Sequence, residues 1–104
     1  MTTTANPHRG EASFEVEGHV YVLRPTFENL VAAESEIGSL FALVERASEG
    51  SITVGEITAL LWHCAPEETR PSREAVGNAV LTCGLVEATK PVRAILAQVL
   101  QGRA

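Results

Sequence analysis

Aspartate is absent from the sequence, and all thirteen acidic residues are glutamates. Sites that specifically need Asp are therefore excluded, including EF-hand calcium loops and Asp-containing catalytic triads. The chain also lacks a Walker loop, a dinucleotide fingerprint and a GxSxG nucleophile motif. These absences predict a protein that is not an enzyme and has no catalytic residues.

Basic residues are scarce as well. Eight Lys and Arg residues are scattered along the chain, and the net charge is −5. This charge opposes a phosphate backbone, and no local basic stripe offsets it. We therefore expect no direct nucleic-acid binding. No uncharged apolar run approaches the roughly 20 residues of a membrane span, and residues 1–15 contain no apolar signal core. We expect no membrane association and a cytosolic site of synthesis.

Cysteine is limited to Cys64 and Cys83, whose spacing matches no zinc or redox motif. Both lie in apolar helical patterns, which predicts buried core thiols. His63 adjoins Cys64, but neighbouring side chains on a helix point about 100° apart and cannot share one ligand face. The sequence therefore predicts no metal and no cofactor.

What the sequence does contain is typical of one globular domain: 104 residues, 45% of them hydrophobic and 20% charged. We expect a single domain over 1–104, with a flexible arm at 1–10, a β-hairpin at 11–24 and a helical part at 26–102. The predicted fold class is α+β, mostly helical, with the N-terminal β-hairpin followed by about five short α-helices.

The hairpin is predicted from the alternation of apolar and polar residues over 11–24. Glu17-Gly18 is the two-residue turn, so Val16 pairs with His19. One face covers the core with Phe14, Val16, Tyr21 and Leu23. The other face carries Val20 and Val22, so either a second element of the chain or a partner covers them. With nearby basic residues, the candidate partner-binding residues on this side are Arg9, Val20, Val22 and Arg24.

The helices are predicted from capping residues and apolar repeats. Thr26 caps a first helix over 27–37 that ends at Gly38. Glu34 edges the apolar side of this helix, where we expect it to pair with Arg24 or Arg9. The apolar side itself groups Phe27, Leu30, Val31 and Ile37. By the same spacing, Phe41 belongs to the apolar residues of the second helix, and Val99 and Leu100 belong to the apolar face of the last. The other four helices are expected to follow the capping residues Ser39, Thr53, Ser72 and Thr89, with Glu56 completing a capping box and Pro91 in the last helix's first turn.

Trp62 is the only tryptophan, and it lies off the apolar stripe of its helix. It either completes the core or anchors a partner, because Trp is usually buried but is also enriched in binding hot spots. Trp62 is therefore a further candidate partner-binding residue. A remote alternative is a small enzyme or ligand-binding protein built around Trp62 and His63.

Four blocks stand out: NPHRGE at 6–11, LRPTFENL at 23–30, SLFALVERASEG at 39–50 and a leucine-rich helix around 57–61. Together with Glu34 and Gly38, they resemble the small tail protein of bacterial gene transfer agents, a family related to tailed-phage morphogenesis proteins. The likeness covers residues 6–62 and implies a non-enzymatic role in building a phage-like tail.

The resemblance implies two roles, because the family is described both as a tail assembly chaperone and as a tail-tube component. A chaperone of this class coats the tape-measure protein and helps to recruit tube subunits. The implied partners are the tape-measure protein, the major tail protein and further copies of the chain. We expect the chaperone, because a tube subunit normally needs long strands that join its neighbours. A structural tail-tube subunit, incorporated in the particle, is the alternative.

Overall fold

The computed structural model of the protein describes residues 12–102. The arm predicted over 1–10 lies outside the described residues. The elements follow in the order β1 (Ala12–Val16), β2 (His19–Leu23), α1 (Phe27–Ile37), α2 (Leu40–Ser48), α3 (Val54–Cys64), α4 (Arg73–Cys83) and α5 (Leu85–Gln101), with a short 3₁₀ turn at Glu67–Thr69. The predicted α+β class, a hairpin followed by five helices, is confirmed.

The hairpin has the predicted register. Val16 pairs with His19, and the antiparallel pairing runs out to Ala12 and Leu23. Both turn residues have positive φ, 53° at Glu17 and 80° at Gly18, as a two-residue hairpin turn with the twist of the strands requires. Phe14, Val16 and Leu23 are buried on the face that covers the core.

The helices α1 to α4 begin where their capping residues predict. The side-chain oxygens of Thr26, Ser39 and Ser72 accept hydrogen bonds from backbone N–H groups three residues on, at 3.1–3.2 Å. Thr53 and Glu56 form the predicted capping box, with bonds of 3.1 and 2.9 Å. These caps satisfy N–H groups that a helix start leaves without partners.

The predicted start of the last helix is wrong. The helix α5 begins at Leu85, directly after Gly84, and not after Thr89. Gly84 has φ 92°, which turns the chain sharply enough for α4 and α5 to abut. The Thr89 hydroxyl donates to the Leu85 carbonyl one turn back instead of capping. Ala88 is fully buried, so packing holds this turn helical even though Pro91 follows inside the helix.

The helix α3 lies at the centre of the described fold and packs against α1, α4 and α5, while β1 packs against α4 and α5. One hydrophobic cluster contains residues from both strands and all five helices. This arrangement fits the expectation of a single domain, which stays a prediction. No helix in residues 12–102 is long and apolar enough to cross a membrane.

Several apolar residues expected on buried faces lie instead at the surface. On α1 only Ala33 is buried, and Phe27 is 83% exposed. Phe41 on α2 is 65% exposed, and the last apolar residues of α5 are also exposed. These residues have the predicted helical spacing, but no neighbouring element of the described chain covers them.

Candidate interaction surface

The structure separates the residues proposed for partner binding. Arg9 lies outside the described residues. Val20 is 48% exposed, whereas Val22 is only 8% exposed and lies outside the main core cluster. Val22 is therefore already withdrawn from the surface in the single chain, as the first of the two alternatives requires, and its role in partner binding stays a prediction. Arg24 is exposed, and its backbone N–H donates to the Cys64 carbonyl at 2.7 Å.

Trp62 is half-buried and packs against the core cluster. Its indole N–H donates to the Pro71 carbonyl at 2.9 Å. The guanidinium groups of Arg70 and Arg73 lie 4.7 and 4.4 Å from the centre of an indole ring. The ring and the polar atom of Trp62 are thus both engaged within the chain, as expected for a residue that joins the core to its polar edge.

A carboxylate beside Trp62 ties three helices together. Glu36 on α1 accepts two hydrogen bonds from Arg73 on α4, at 2.7 and 2.9 Å, and lies 2.9 Å from the ring nitrogen of His63 on α3. These bonds, with Arg73 contributing most, lower the pKa of Glu36 from 4.5 to about 2. His63 and Glu36 therefore have partners within the fold, and their arrangement is that of a structural ion cluster.

The sequence predicted that Glu34 pairs with Arg24 or Arg9. Arg9 lies outside the described residues, and the predicted pair with Arg24 does not form. The Glu34 carboxylate accepts a hydrogen bond at 3.0 Å from the backbone N–H of Leu40, the first residue of α2. A negative charge at a helix start satisfies an N–H without a partner and interacts favourably with the helix dipole. Glu34 thus links α1 to the first residue of α2.

A second ion pair joins α2 to α3. Arg46 and Glu56 form two hydrogen bonds, one of them at 2.8 Å between Nη1 and Oε1. Together with the bond from the Thr53 N–H, this lowers the pKa of Glu56 from 4.5 to about 2, and the Arg46 contribution is the larger. The capping box and the ion pair share this one carboxylate.

The two thiols differ, and the prediction that both are buried is wrong for Cys83. Cys64 is buried, and its burial raises the pKa of the thiol to about 12. Cys83 is exposed at the end of α4, because the chain turns away at Gly84 and leaves that side uncovered. Within residues 12–102, no group of three or more His, Cys, Asp or Glu residues could hold a metal ion.

The largest exposed apolar side chains meet where α1, α2 and the end of α5 converge. We call this surface the α1–α2–α5 groove. Glu34 is its one charged lining residue. The other lining residues are apolar: Phe27, Leu30, Val31, Leu40, Phe41, Val99 and Leu100. Apolar surface concentrated in this way marks an interaction site more often than isolated exposed hydrophobic residues do.

The groove continues past Leu100 into a second depression between α2 and α5. This depression is also largely apolar, with Val44 and Leu96 among its lining residues, and Arg93 is its one charged residue. Among the described residues, no carboxylate lies within ion-pair distance of Arg93. The combined surface is thus an apolar strip with a carboxylate near one end and a guanidinium near the other.

Sequence reasoning did not identify this surface as a site. Periodicity assigned Phe27, Phe41 and Leu100 to apolar faces but could not say that those faces lack a covering element. The available signal was the placement of a phenylalanine in the first turn of each of two consecutive helices. The surface consists mainly of apolar side chains that can form contacts.

Comparison with known proteins agrees with a tail role. A family model described as phage tail tube protein, GTA-gp10, matches residues 9–102. Searches of curated proteins and of solved structures gave no match. Because the family match spans nearly the whole chain, the protein belongs to the GTA-gp10 phage tail tube protein family.

Proposed function

We propose that the protein is a structural subunit of a phage-like tail tube, which acts through protein–protein contacts and not through catalysis. The observation that carries the proposal is the α1–α2–α5 groove in a chain of this family. In a permanent assembly, neighbouring subunits can cover the exposed apolar surface of each copy. A protein that acts as a free monomer would instead need to bury this surface within its own fold. In this proposal the protein assembles in the bacterial cytoplasm and remains in the finished particle.

The hairpin supplies a second kind of contact surface. Its sheet has only two strands, so each strand has one edge without a neighbouring strand in the described chain. Such edges pair readily with other chains. Val20 lies on β2, Arg24 follows this strand directly, and both are exposed. Of the candidate partner-binding residues on the hairpin side, these two therefore remain available for contacts in the tube.

The proposal is tested by assembly of the purified protein. We expect sedimentation velocity to detect larger species as concentration rises, and negative-stain microscopy to show rings or short tubes. Dilution of the same sample is the control, since reversible assembly must return monomer. A protein that stays monomeric at every concentration and is absent from purified tails would contradict the proposal.

The tail assembly chaperone is a second candidate, and one observation favours it. Both strands are only five residues long, so the described chain offers little strand length for joining neighbours. The groove between helices would instead receive an amphipathic helix of a tape-measure protein. Co-expression with the cognate tape-measure protein, followed by a pull-down, tests this candidate. A soluble complex supports it, and the absence of association counts against it.

A further inference from the structure

A second group of exposed apolar side chains lies where α4 meets α5. Leu81 near the end of α4 is 65% exposed, and Val86 at the start of α5 is 78% exposed, with Leu85 exposed between them in sequence. We call these three residues the junction patch. Val86 and Leu100 are fourteen positions apart on α5, which corresponds to about 21 Å along a helix. The groove and the junction patch therefore lie at opposite ends of the longest helix, with Arg93 of the groove's continuation midway between them.

The charges beside the two surfaces are complementary. The groove and its continuation have Glu34 near one end and Arg93 near the other. The junction patch is followed on α5 by Glu87 and Lys90, which are exposed and pair with each other at 2.9 Å. Such an exposed pair contributes little on its own, so both side chains are free to exchange partners. Each surface thus has one carboxylate and one basic group beside it, and each of these groups can pair with the oppositely charged group of the other surface.

We propose that the α1–α2–α5 groove of one copy receives the junction patch of the next copy, in a head-to-tail contact. Lys90 of the next copy then lies toward Glu34, and its Glu87 lies toward Arg93. Because the two surfaces differ, the contact is heterologous and continues from copy to copy until a ring closes. This inference rests on the proposed tube function and names the surfaces through which it works.

The size of the surfaces determines how strong one contact is. Even the largest apolar patch on a typical monomer covers only roughly 300–600 Å². A single groove-to-patch contact of that order falls below the roughly 1,200–2,000 Å² buried in stable pairwise interfaces. One contact alone is therefore weak. Assembly is expected to depend steeply on concentration and to be stabilised when the ring closes.

The test uses two complementary variants, Phe41→Asp in the groove and Val86→Asp in the junction patch. Both positions are exposed, so circular dichroism and thermal melting are expected to match the unmodified protein. Each variant alone should associate at least about tenfold more weakly, because a central apolar anchor is lost. Each nevertheless keeps the surface that the other lacks. Because a single contact is weak, an equimolar mixture should form one-to-one dimers only at high protein concentration, and these dimers should grow no further.

Val54→Asp is the matched control, since Val54 is exposed but lies outside both surfaces. It should assemble like the unmodified protein. A charge exchange adds a test of orientation: Arg93→Glu should weaken assembly, and Glu87→Arg in the same chain should restore it. Failure of the second change to restore assembly would overturn the proposed orientation.

The outcomes separate this inference from the tube function. If the unmodified protein forms rings and the Phe41→Asp and Val86→Asp variants also form them, the inference is wrong and the tube function stands. If either variant forms dimers by itself, the contact is not heterologous, and the inference is again wrong. If neither the unmodified protein nor the mixture associates, and the protein is absent from purified tails, the head-to-tail contact and the tube function are both wrong.

Discussion

Glu56 has two structural roles with one carboxylate: it closes the capping box of α3 and binds Arg46 on α2. Its side chain is only 16% exposed, so solvent screens the pair less than it would at an open surface. The sequence predicts the first of these two roles but not the second. The capping box followed from the spacing of Thr53 and Glu56, whereas Arg46 is ten residues away on another helix and no local pattern predicts that contact.

We expect Glu56→Gln to lower the free energy of unfolding by about 1 kcal/mol at pH 7, because the charged pair is lost while the amide oxygen still accepts from Thr53. The folded-state pKa of Glu56 is depressed, so its stabilising effect is complete above the ordinary pKa of 4.5 and is lost as pH falls toward 2. Urea unfolding at several pH values measures this. Glu49→Gln is the control, and a difference for Glu56→Gln that persists at pH 2 would contradict the account.

Thiol reactivity distinguishes the two cysteines. The thiolate is the reactive form, so buried Cys64, with a pKa raised to about 12, should not react in the folded protein. Exposed Cys83 should react promptly with a thiol reagent. Titration should count one thiol in the native protein and two in denaturant. Cys83→Ser removes the native signal, and two fast thiols in the folded protein would show that Cys64 is accessible.

Among the elements, the junction of α4 and α5 departs most from the sequence-based prediction. The predicted start of α5 is wrong because Thr89 and Pro91 together imitate the start of a helix. Burial of Ala88 and Val92 outweighs that local signal and keeps the preceding turn helical. Local chemistry predicts a helix start well only where tertiary packing does not compete with it.

Substitution by Ala should have opposite effects at two glycines, one at this junction and one inside α4. Gly84 has φ 92° and no atom within 4 Å of an added Cβ, so Gly84→Ala should destabilise the fold by about 1 kcal/mol through backbone strain alone. Gly77 lies inside α4, and an added Cβ would meet Thr58 at an ordinary contact distance of 3.7 Å. Gly77→Ala should therefore stabilise the protein by up to about 1 kcal/mol. Thermal melting of both variants measures the effects, and equal shifts would contradict this explanation.

For the whole molecule, the sequence predicted the class, the hairpin register and four helix starts, because each depends on local chemistry. It did not predict which apolar faces stay uncovered. Phe27 and Phe41 have the spacing of core residues, but coverage depends on where five helices and a hairpin finally pack. The same limit applies to the candidate partner-binding residues. Val22 was among them but is buried, whereas the exposed α1–α2–α5 groove was not predicted as a site.

The strip from Glu34 to Arg93 also bears on the choice between tube subunit and chaperone. A tube subunit uses the strip permanently, whereas a chaperone releases its partner when the tail is finished. We expect Phe41→Asp to reduce the yield of complete tails in either case. Only in the tube subunit should it also reduce the amount of this protein found in the tails that do form. Val54→Asp is the control for expression and folding.

The most direct measurement of the central claim is the amount of this protein in purified phage-like particles, determined by quantitative mass spectrometry and located along the tail by antibody labelling. A structural tube subunit should be present in many copies for each copy of the tape-measure protein, with label along the whole tail shaft. Abundance in the lysate combined with absence from purified particles would contradict the account.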